Sequence, residues 1–453
     1  MMQFELTKEY IENLRELIEL DKSDEIEKLI IDLHPADIAD ILEALNTREA
    51  MMVYLLLKGD LASDVLLEIP EDDRKRFLAQ FPSDVIAHQY IEFMETDDAA
   101  DVLGELPDDK MEEVIAYIND EEHAEDITEL LSYDEDSAGG IMAAELVAVK
   151  ENWSVQTCLK EIGRQAEDID EIYYVYVIDD QEKLKGVLSL KKLIQYPTHT
   201  LISNIYNKDV LSIKIDGRRE DVAQMMEKYD LVALPVTDYE GHLKGRITID
   251  DVVDIIREEA EKDYQMMSGI TGDVEFSDSV FSITKARLPW LLIGLMGGIL
   301  GAFVIAGNEG ALERIPNMIF FIPLIGAMAG NVGVQSSSIV VQGLASGANN
   351  FQSMSRKLLK ELGVALIAAF VLSGLILIFN LIFNFGNSGR PLAYIVSFSL
   401  FIVVIFASLF GTFIPLFLNK LKIDPALATG PFITTTNDIL GLLVYMLIGQ
   451  FLF

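Results

Sequence analysis

The least expected chemical group in this sequence is an acid inside its last hydrophobic stretch. Residues 423–453 are long enough, at ~1.5 Å per residue, to cross a hydrocarbon core of roughly 30 Å, and Asp438 lies near the centre of that stretch. An ionised carboxylate at that depth costs at least ~2.5–3.5 kcal/mol, so it should face water, a cation or a buried partner. No other hydrophobic stretch carries a Lys or Arg in its interior. Asp438 therefore indicates a cation pathway.

A second hydrophobic stretch, residues 316–345, combines small residues with polar ones. It contains Pro323, Gly326 and Gly330, followed by Asn331 and other polar side chains. Gly and Pro breaks at membrane depth are tolerated only beside protein or a water-filled cavity. Close packing accounts for Gly326. The polar residues around Asn331 instead predict a pore wall and a broken second span.

A third candidate site is an acidic segment, residues 250–278, which holds ten acids against Arg257 and Lys262. Its acids Asp251, Asp254 and Glu258 share one helix face, where like charges destabilise a helix by a few tenths of a kcal/mol per pair. Divalent cations bound between this face and other acids would turn that repulsion into a net attraction. The segment is either a cation site or a solvated acidic connector.

Charge divides the chain of 453 residues, whose net charge is −38, into two parts. From Lys285 onward there are five acids and nine bases, leaving 68 of the 73 acids and 26 of the 35 bases before that point. An acidic soluble part is thus joined to a nearly charge-free membrane part. The acidity excludes nucleic acid as a partner and suits cations, or serves solubility alone. The single cysteine, Cys158, permits no internal disulfide and suits a reducing cytosol.

Residues 1–136 predict an all-α domain. Apolar residues recur at three- and four-residue spacing, as at Ile38, Ile41 and Leu42. Irregular copies of a short Asp-hydrophobic helical unit predict a superhelical stack. Asp97, Asp98 and Asp101 would lie within one helical turn.

Residues 137–260 show a β–α–β–β–α order that occurs twice. The segment from Leu234 to Asp251 resembles the signature of CBS modules, so we expect a tandem α/β pair over 137–199 and 200–260. In that family a Thr/Ser-x-x-Asp element holds the ribose of an adenine nucleotide such as ATP. Thr248 and Asp251 match it, whereas the first copy has Ser189 followed by Lys192. An acidic connecting helix is predicted over 261–284, beginning near 250.

Residues 285–453 predict an α-helical transmembrane domain with five spans, at about 288–306, 316–345, 360–385, 391–418 and 425–453. If the soluble part is cytoplasmic, seven bases flank the spans inside and two, Arg314 and Arg390, lie outside. This predicts a multi-pass plasma-membrane protein with cytoplasmic N-terminal domains and its C-terminus outside.

These parts together resemble the MgtE family of magnesium channels, on the motifs Pro323 to Ser337 and Asp424-Pro425-Ala426 through Asn437-Asp438. The resemblance implies a homodimer in the lipid bilayer, with an ion path on the two-fold axis lined by the second and fifth spans. Asp438 would bind the hydrated ion, Asp424 would lie at the cytoplasmic mouth, and Asn437 and Asn331 would assist. The acidic connecting helix, called the plug, would close the pore when cytosolic magnesium binds.

The same resemblance implies a regulatory magnesium-binding set, carried over position by position: Asp97, Asp98, Asp101, Glu220, Asp230, Asp251, Asp254, Glu259 and Asp263. Two positions depart from the family pattern, because Arg218 and Lys262 stand where acids are expected. We therefore expect one regulatory site to be weaker or absent.

The predicted function is magnesium-selective uptake, gated closed by cytosolic magnesium. Magnesium keeps much of its water and is held by one or two carboxylates, and no His or Cys beside Asp438 favours zinc or copper. Cobalt, nickel and manganese remain alternative ions, and a carrier coupled to sodium or protons remains an alternative mechanism. A nucleotide-sensing receptor without transport leaves Asp438 unexplained. No nucleophile–base pattern indicates an enzyme.

Overall fold

The computed structural model describes residues 4–166, 169, 171–272, 274, 279–345, 353–383 and 389–452. The chain divides into two compact units, Met1–Arg257 and Glu258–Phe453. The first unit contains a helical domain and a pair of small sheets. The second contains the long apolar helices.

The helical domain is built from short amphipathic helices that bury one face each. Tyr54 lies at the centre of the domain, where its ring contacts Phe77, Phe81 and Tyr90 and its hydroxyl donates to the Ala62 carbonyl at 2.9 Å. The helices are α1 Lys8–Glu19, α2 Ser23–Ile30, α3 Pro35–Glu43, α4 Thr47–Tyr54, α5 Asp60–Leu67, α6 Glu71–Leu78, α7 Ser83–Gln89, α8 Thr96–Gly104, α9 Asp108–Ile115 and α10 Glu121–Leu130.

The sheet region repeats one arrangement twice, which confirms the predicted β–α–β–β–α pair. In each sheet the first strand runs parallel to the second, and the second pairs antiparallel with the third. The first copy has β1 Ala148–Lys150, α11 Val155–Gln165, β2 Val175–Ile178, β3 Leu184–Leu188 and α12 Leu190–Gln195. The second copy has β4 Ile213–Lys214, α13 Arg219–Tyr229, β5 Ala233–Thr237 and β6 Leu243–Thr248.

The connecting helix α14, Ile249–Met267, follows β6 directly and differs from the predicted helix over 261–284. It ends earlier because Gly269 and Gly272 take positive φ, which a continuing helix does not allow. The next helix, α15, begins only at Val280. Residues 273 and 275–278 of the predicted connector lie outside the described residues.

Five of the described helical segments are long and apolar enough to cross a membrane, which confirms the five predicted spans. Their packed interior includes Ile325, Val403 and Tyr445, whose hydroxyl donates to the Met318 carbonyl at 2.9 Å. The helices are α15 Val280–Gly307, the short α16 Glu309–Arg314, α17 Ile322–Ala345, α18 Met354–Phe383, α19 Gly389–Lys420 and α20 Gly430–Leu452, with 3₁₀ turns at Pro316–Phe321 and Pro425–Ala428.

Two expectations about the spans are corrected. The second span is not broken at its glycines, because α17 is continuous and Pro323 lies in its first turn, where a missing N–H costs no helical hydrogen bond. The fifth helix begins at Gly430 instead of residue 425, after the 3₁₀ turn. Asp438 therefore lies roughly 12 Å along α20, in its first half rather than at its centre.

Candidate functional site

The carboxylate of Asp438 lies directly against the backbone of α17. A Cβ added to Gly330 would lie 2.9 Å from Asp438 Oδ1 and 2.9 Å from Thr434 Cγ2. Glycine at this position is therefore what lets the two helices approach. Among the described residues, none donates a hydrogen bond of good geometry to Asp438 Oδ1. The acid is half-buried in an apolar helix bundle with part of its hydrogen-bonding capacity unused.

Asn437 and Asn331, the two predicted pore amides, have opposite surroundings. Asn437 is 0 % exposed and packs against Gly333, where a Cβ would overlap its amide nitrogen. Neither atom of its amide has a hydrogen-bond partner among the described residues. Asn331 is exposed, and so are Gln335 and Gln342 farther along α17. An amide at membrane depth requires water or protein beside it, so this stripe of α17 does not suit a lipid-facing surface.

The start of α20 is in contact with the end of α14. Gly430 has a φ of +51°, and a Cβ there would overlap the Met267 carbonyl oxygen. Asp424 caps the turn just before it, with Oδ1 accepting from the Ala426 N–H at 2.8 Å. Burial raises the pKa of Asp263 on α14, and the negative charge of Asp424 raises it further. Two acids therefore face one another where the connecting helix meets the last span.

A group of acids also meets within the first unit. Asp97 and Asp98 stand in the first turn of α8, and Asp251 stands in the first turn of α14. Removal from water raises the pKa of Asp98 to about 7, and the charge of Asp251 adds to the rise. Burial, Asp98 and Asp251 likewise raise the pKa of Asp97 well above its usual value. Asp101, one turn later, is exposed at the edge of the group.

This group of carboxylates suits a hard, hydrated cation. Its ligand atoms are all oxygens, which magnesium and calcium prefer. Within the described ranges, no three acidic, histidine or cysteine side chains close around one point as in a dedicated metal cage. A cation that keeps several waters and contacts one or two carboxylates fits such a group, and its charge would offset the repulsion that raises the pKa values.

Asp251 belongs both to the predicted regulatory magnesium-binding set and to the predicted nucleotide site. Its Oδ2 accepts from the Thr248 hydroxyl at 2.7 Å and from the Thr248 N–H at 3.1 Å. These bonds fix the turn where β6 becomes α14. One oxygen of Asp251 is therefore occupied locally, and the buried Thr248 is bonded to it.

Several other predicted regulatory acids have a basic neighbour or face solvent. Arg218 pairs with Asp221 at 3.2 Å and lies 3.9 Å from Glu220, while Lys262 lies 3.4 Å from Glu259. The two departures from the family pattern thus place cations beside predicted ligands. Asp230, at the end of α13, and Asp254, on α14, are exposed.

Arg246, a buried cation near the acid group, was missed from the sequence. It is only 5 % exposed, and its guanidinium donates to both carboxylate oxygens of Glu95 at 2.8 and 3.0 Å and to the Glu171 carbonyl at 2.6 Å. Because Glu95 belongs to the helical domain and Arg246 to β6, the pair joins that domain to the second sheet. The available signal was a basic residue on an otherwise buried strand.

Three known families match successive parts of the chain. Residues 322–448 match the family MgtE, a divalent cation transporter family. Residues 33–136 match the MgtE intracellular N domain, and residues 138–199 and 202–258 match CBS domains.

Similar whole proteins and solved structures agree with these matches. The chain is 32% identical to the magnesium transporter MgtE of Thermus thermophilus over 97% of this chain and 98% of the relative. It is 35% identical to that of Enterococcus faecalis over 96% of each.

Two crystal structures match the soluble part. The soluble part of a magnesium transporter matches with TM-score 0.51 and 34% identity, over 56% of this chain and 99% of that chain. The cytosolic domain of the Mg²⁺ channel MgtE in complex with ATP matches with TM-score 0.51 and 32% identity, over 54% and 99%. The predicted resemblance is confirmed: this chain belongs to the MgtE family of multi-pass divalent cation transporters of the cell membrane.

Proposed function

We propose that two copies of this chain form a magnesium uptake channel whose ion path runs between their α17 and α20 helices. The observation that carries this proposal is the half-buried Asp438 carboxylate held against α17 beside an exposed polar stripe (Asn331, Gln335, Gln342). A second copy and a water-filled path would satisfy those amides, which a lipid surface would not. Magnesium is the ion named for the full-length relatives.

Two Asp438 carboxylates across a two-fold axis would hold a hydrated divalent ion. A carboxylate about 4 Å from an ion at an effective dielectric constant of 20 contributes on the order of 4 kcal/mol per unit charge. Asp424, exposed at the start of the last span, would attract cations to the mouth. The basic flanks of the spans support cytoplasmic N-terminal domains and an outside C-terminus.

Magnesium influx into proteoliposomes tests this role of Asp438. Asp438→Asn preserves the shape of the side chain and removes its charge, so we expect influx to fall by roughly 100-fold or more. Glu313→Gln is the matched control, since this exposed acid lies on the short α16 outside the spans. Wild-type influx through Asp438→Asn, with dimer yield unchanged, would remove Asp438 from the pathway.

Cytosolic magnesium is proposed to close the channel through the acid groups. At low magnesium, repulsion among Asp97, Asp98 and Asp251 would weaken the packing of the helical domain against the CBS pair. Repulsion between Asp263 and Asp424 would similarly weaken the contact of α14 with the start of α20. Bound magnesium would replace both repulsions by attraction and favour the closed form. A ligand shifts a conformational equilibrium by its differential affinity for the two forms.

Limited trypsin cleavage after Arg257 and Lys262 tests this gating. We expect wild type to become protected as magnesium rises, because the closed form holds α14 in place. A quadruple variant, Asp251→Ala, Asp254→Ala, Glu259→Ala and Asp263→Ala, should lose the response. Replacing four exposed acids of α1 (Glu9, Glu12, Glu16 and Glu19) by Ala changes the charge equally and should leave it intact. Equal protection of both variants would place the sensor elsewhere.

An adenine nucleotide is proposed to bind the CBS pair near Thr248 and Asp251. Support comes from the matched cytosolic domain that was crystallised with ATP. Calorimetric titration of the full-length protein with ATP tests it: Thr248→Val should weaken binding, whereas Ser189→Ala, in the first copy, should not. Binding of equal strength in both variants would remove Thr248 from the nucleotide site.

A further inference from the structure

Glu361 is a carboxylate on α18, one of the long apolar helices of the second unit. It lies about two turns into α18 and is partly buried. The Ser336 hydroxyl of α17 donates to its Oε1 at 2.7 Å, and the Ser408 hydroxyl of α19 donates to the same oxygen. The two hydroxyl oxygens are 3.1 Å apart, and both serines are buried. One carboxylate oxygen therefore joins three helices.

Ser336 lies next to the part of α17 that contacts α20. Ser336 follows Gly333 by three residues, so the two are neighbours on the helix surface. A Cβ on Gly333 would overlap the amide of Asn437, and a Cβ on Gly411 of α19 would overlap the Gly333 carbonyl oxygen. The segment of α17 that touches α20 is thus held from behind by α18 and α19 through Glu361.

We propose that Glu361 is a positioning residue that fixes the height and rotation of α17, and with it the surface that α17 presents to the ion. The proposal rests on the proposed function, in which α17 lines the path. If Glu361 is lost, both serine hydroxyls lose this acceptor; one can still donate to the other, so the second is left as a buried donor without a partner, which is costly. The helix would then settle in other positions, in which Asn331 and Gln335 no longer face the path correctly.

Magnesium influx in proteoliposomes, measured over a range of magnesium concentrations, tests the proposal. Glu361→Leu should lower the maximal rate by about tenfold, since the lost hydrogen bonds involve a charged acceptor, and leave the half-saturating concentration unchanged. Glu361→Gln retains a carbonyl oxygen that accepts from both serines, so it should restore the rate to within about threefold of wild type. A lower maximal rate with an unchanged half-saturating concentration indicates a positioning role, whereas a raised half-saturating concentration indicates ion binding.

The serines supply a second test that does not depend on changing the acid. Ser408→Ala combined with Ser336→Ala should reproduce the loss seen in Glu361→Leu. Ser399→Ala is the matched control, because Ser399 is equally buried on α19 and its hydroxyl has no hydrogen-bond partner among the described residues. This control should conduct like wild type.

Three results would overturn the proposal. A raised half-saturating concentration in Glu361→Leu would make Glu361 an ion ligand instead. Equal loss in Glu361→Gln and Glu361→Leu would mean that charge, not hydrogen bonding, matters. Wild-type influx in the double serine variant would show that the network is dispensable, even where Glu361→Leu fails to fold. Each result leaves the proposed role of Asp438 standing, which its own variant tests.

Discussion

The acids of the first unit and the acid of the last span face opposite electrostatic problems. Asp97, Asp98 and Asp251 crowd one another, and their protonated forms are favoured by burial and mutual repulsion. Asp438 belongs to no cluster of acids among the described residues, and it lies against the glycine backbone of α17. The first arrangement crowds several carboxylates in one place, and the second sets one carboxylate into the contact between two apolar helices.

The two regions also differ in their resident cations. The first unit supplies Arg246, buried beside Glu95, so its acids are partly compensated before any ion binds. No Lys or Arg lies in the interior of the predicted spans, so no basic side chain of those spans compensates Asp438 at that depth. We infer that a bound ion in the first unit would add to the compensation that Arg246 already provides. In the membrane unit, the bound ion would itself neutralise Asp438.

After Asp438→Asn, the largest expected effect on influx comes from the contact between α17 and α20. Gly333→Ala places a methyl group where the Asn437 amide lies, which forces α17 and α20 apart. We expect magnesium influx to fall by at least about tenfold, since overpacking commonly costs ~1–3 kcal/mol. Gly374→Ala, in α18, is the control, because a Cβ there meets nothing within 4 Å. Unchanged influx in Gly333→Ala would show that the close approach is unnecessary.

Removing the buried Arg246 tests the first unit. Arg246→Met leaves Glu95 without its buried partner, which typically costs about 3–5 kcal/mol. The midpoint temperature of the first thermal transition of the full-length protein should fall. Added magnesium should raise that temperature more in Arg246→Met than in wild type. Lys244→Met removes a more exposed pair with Glu129 and should cost at most ~1 kcal/mol. If both variants behave alike, Arg246 has no special role.

A smaller effect follows from the raised pKa of Asp98. Its folded pKa of about 7 lies above the ordinary value of 3.8, so between these pH values the folded form keeps a proton that the unfolded chain has lost, and this stabilisation is gone once the pH has risen past the folded pKa. Without divalent cations, cleavage after Arg257 should be several-fold faster at pH 8 than at pH 6.

In the proposed gating, magnesium would replace the proton at Asp98, so saturating magnesium should flatten the pH profile, and so should Asp98→Asn. A wild-type profile that is flat without divalent cations would contradict the crowding of these acids. Exposed Asp84→Asn, on α7, is the control and should keep the slope.

The smallest effect concerns the cations that stand beside predicted ligands. Arg218→Ala removes the charge next to Glu220, so magnesium should protect α14 from trypsin at a concentration about two- to threefold lower. Arg164→Ala, which removes a similarly exposed pair with Glu161, should change nothing. No shift in Arg218→Ala would mean that Glu220 is not a ligand.

Periodicity and composition predicted the elements of the fold but not the contacts between them. The five spans, the doubled β–α–β–β–α order and the acids near α14 follow from local patterns. The burial of Asn437, the pairing of Arg246 with Glu95 and the bonds of Glu361 join residues far apart in the chain. The continuity of α17 was also missed, because Gly330 and Gly333 serve close packing, a property that depends on the neighbouring helix.

Current recorded from inside-out membrane patches tests the central claim most directly. Wild-type channels should open at low cytosolic magnesium and close as it rises towards roughly millimolar concentrations, the range of weak carboxylate sites. A triple variant, Asp97→Asn, Asp98→Asn and Asp251→Asn, should conduct through the same path and stay open. Equal closure of wild type and variant would contradict the account, and so would a cycle of transport too slow to give any current.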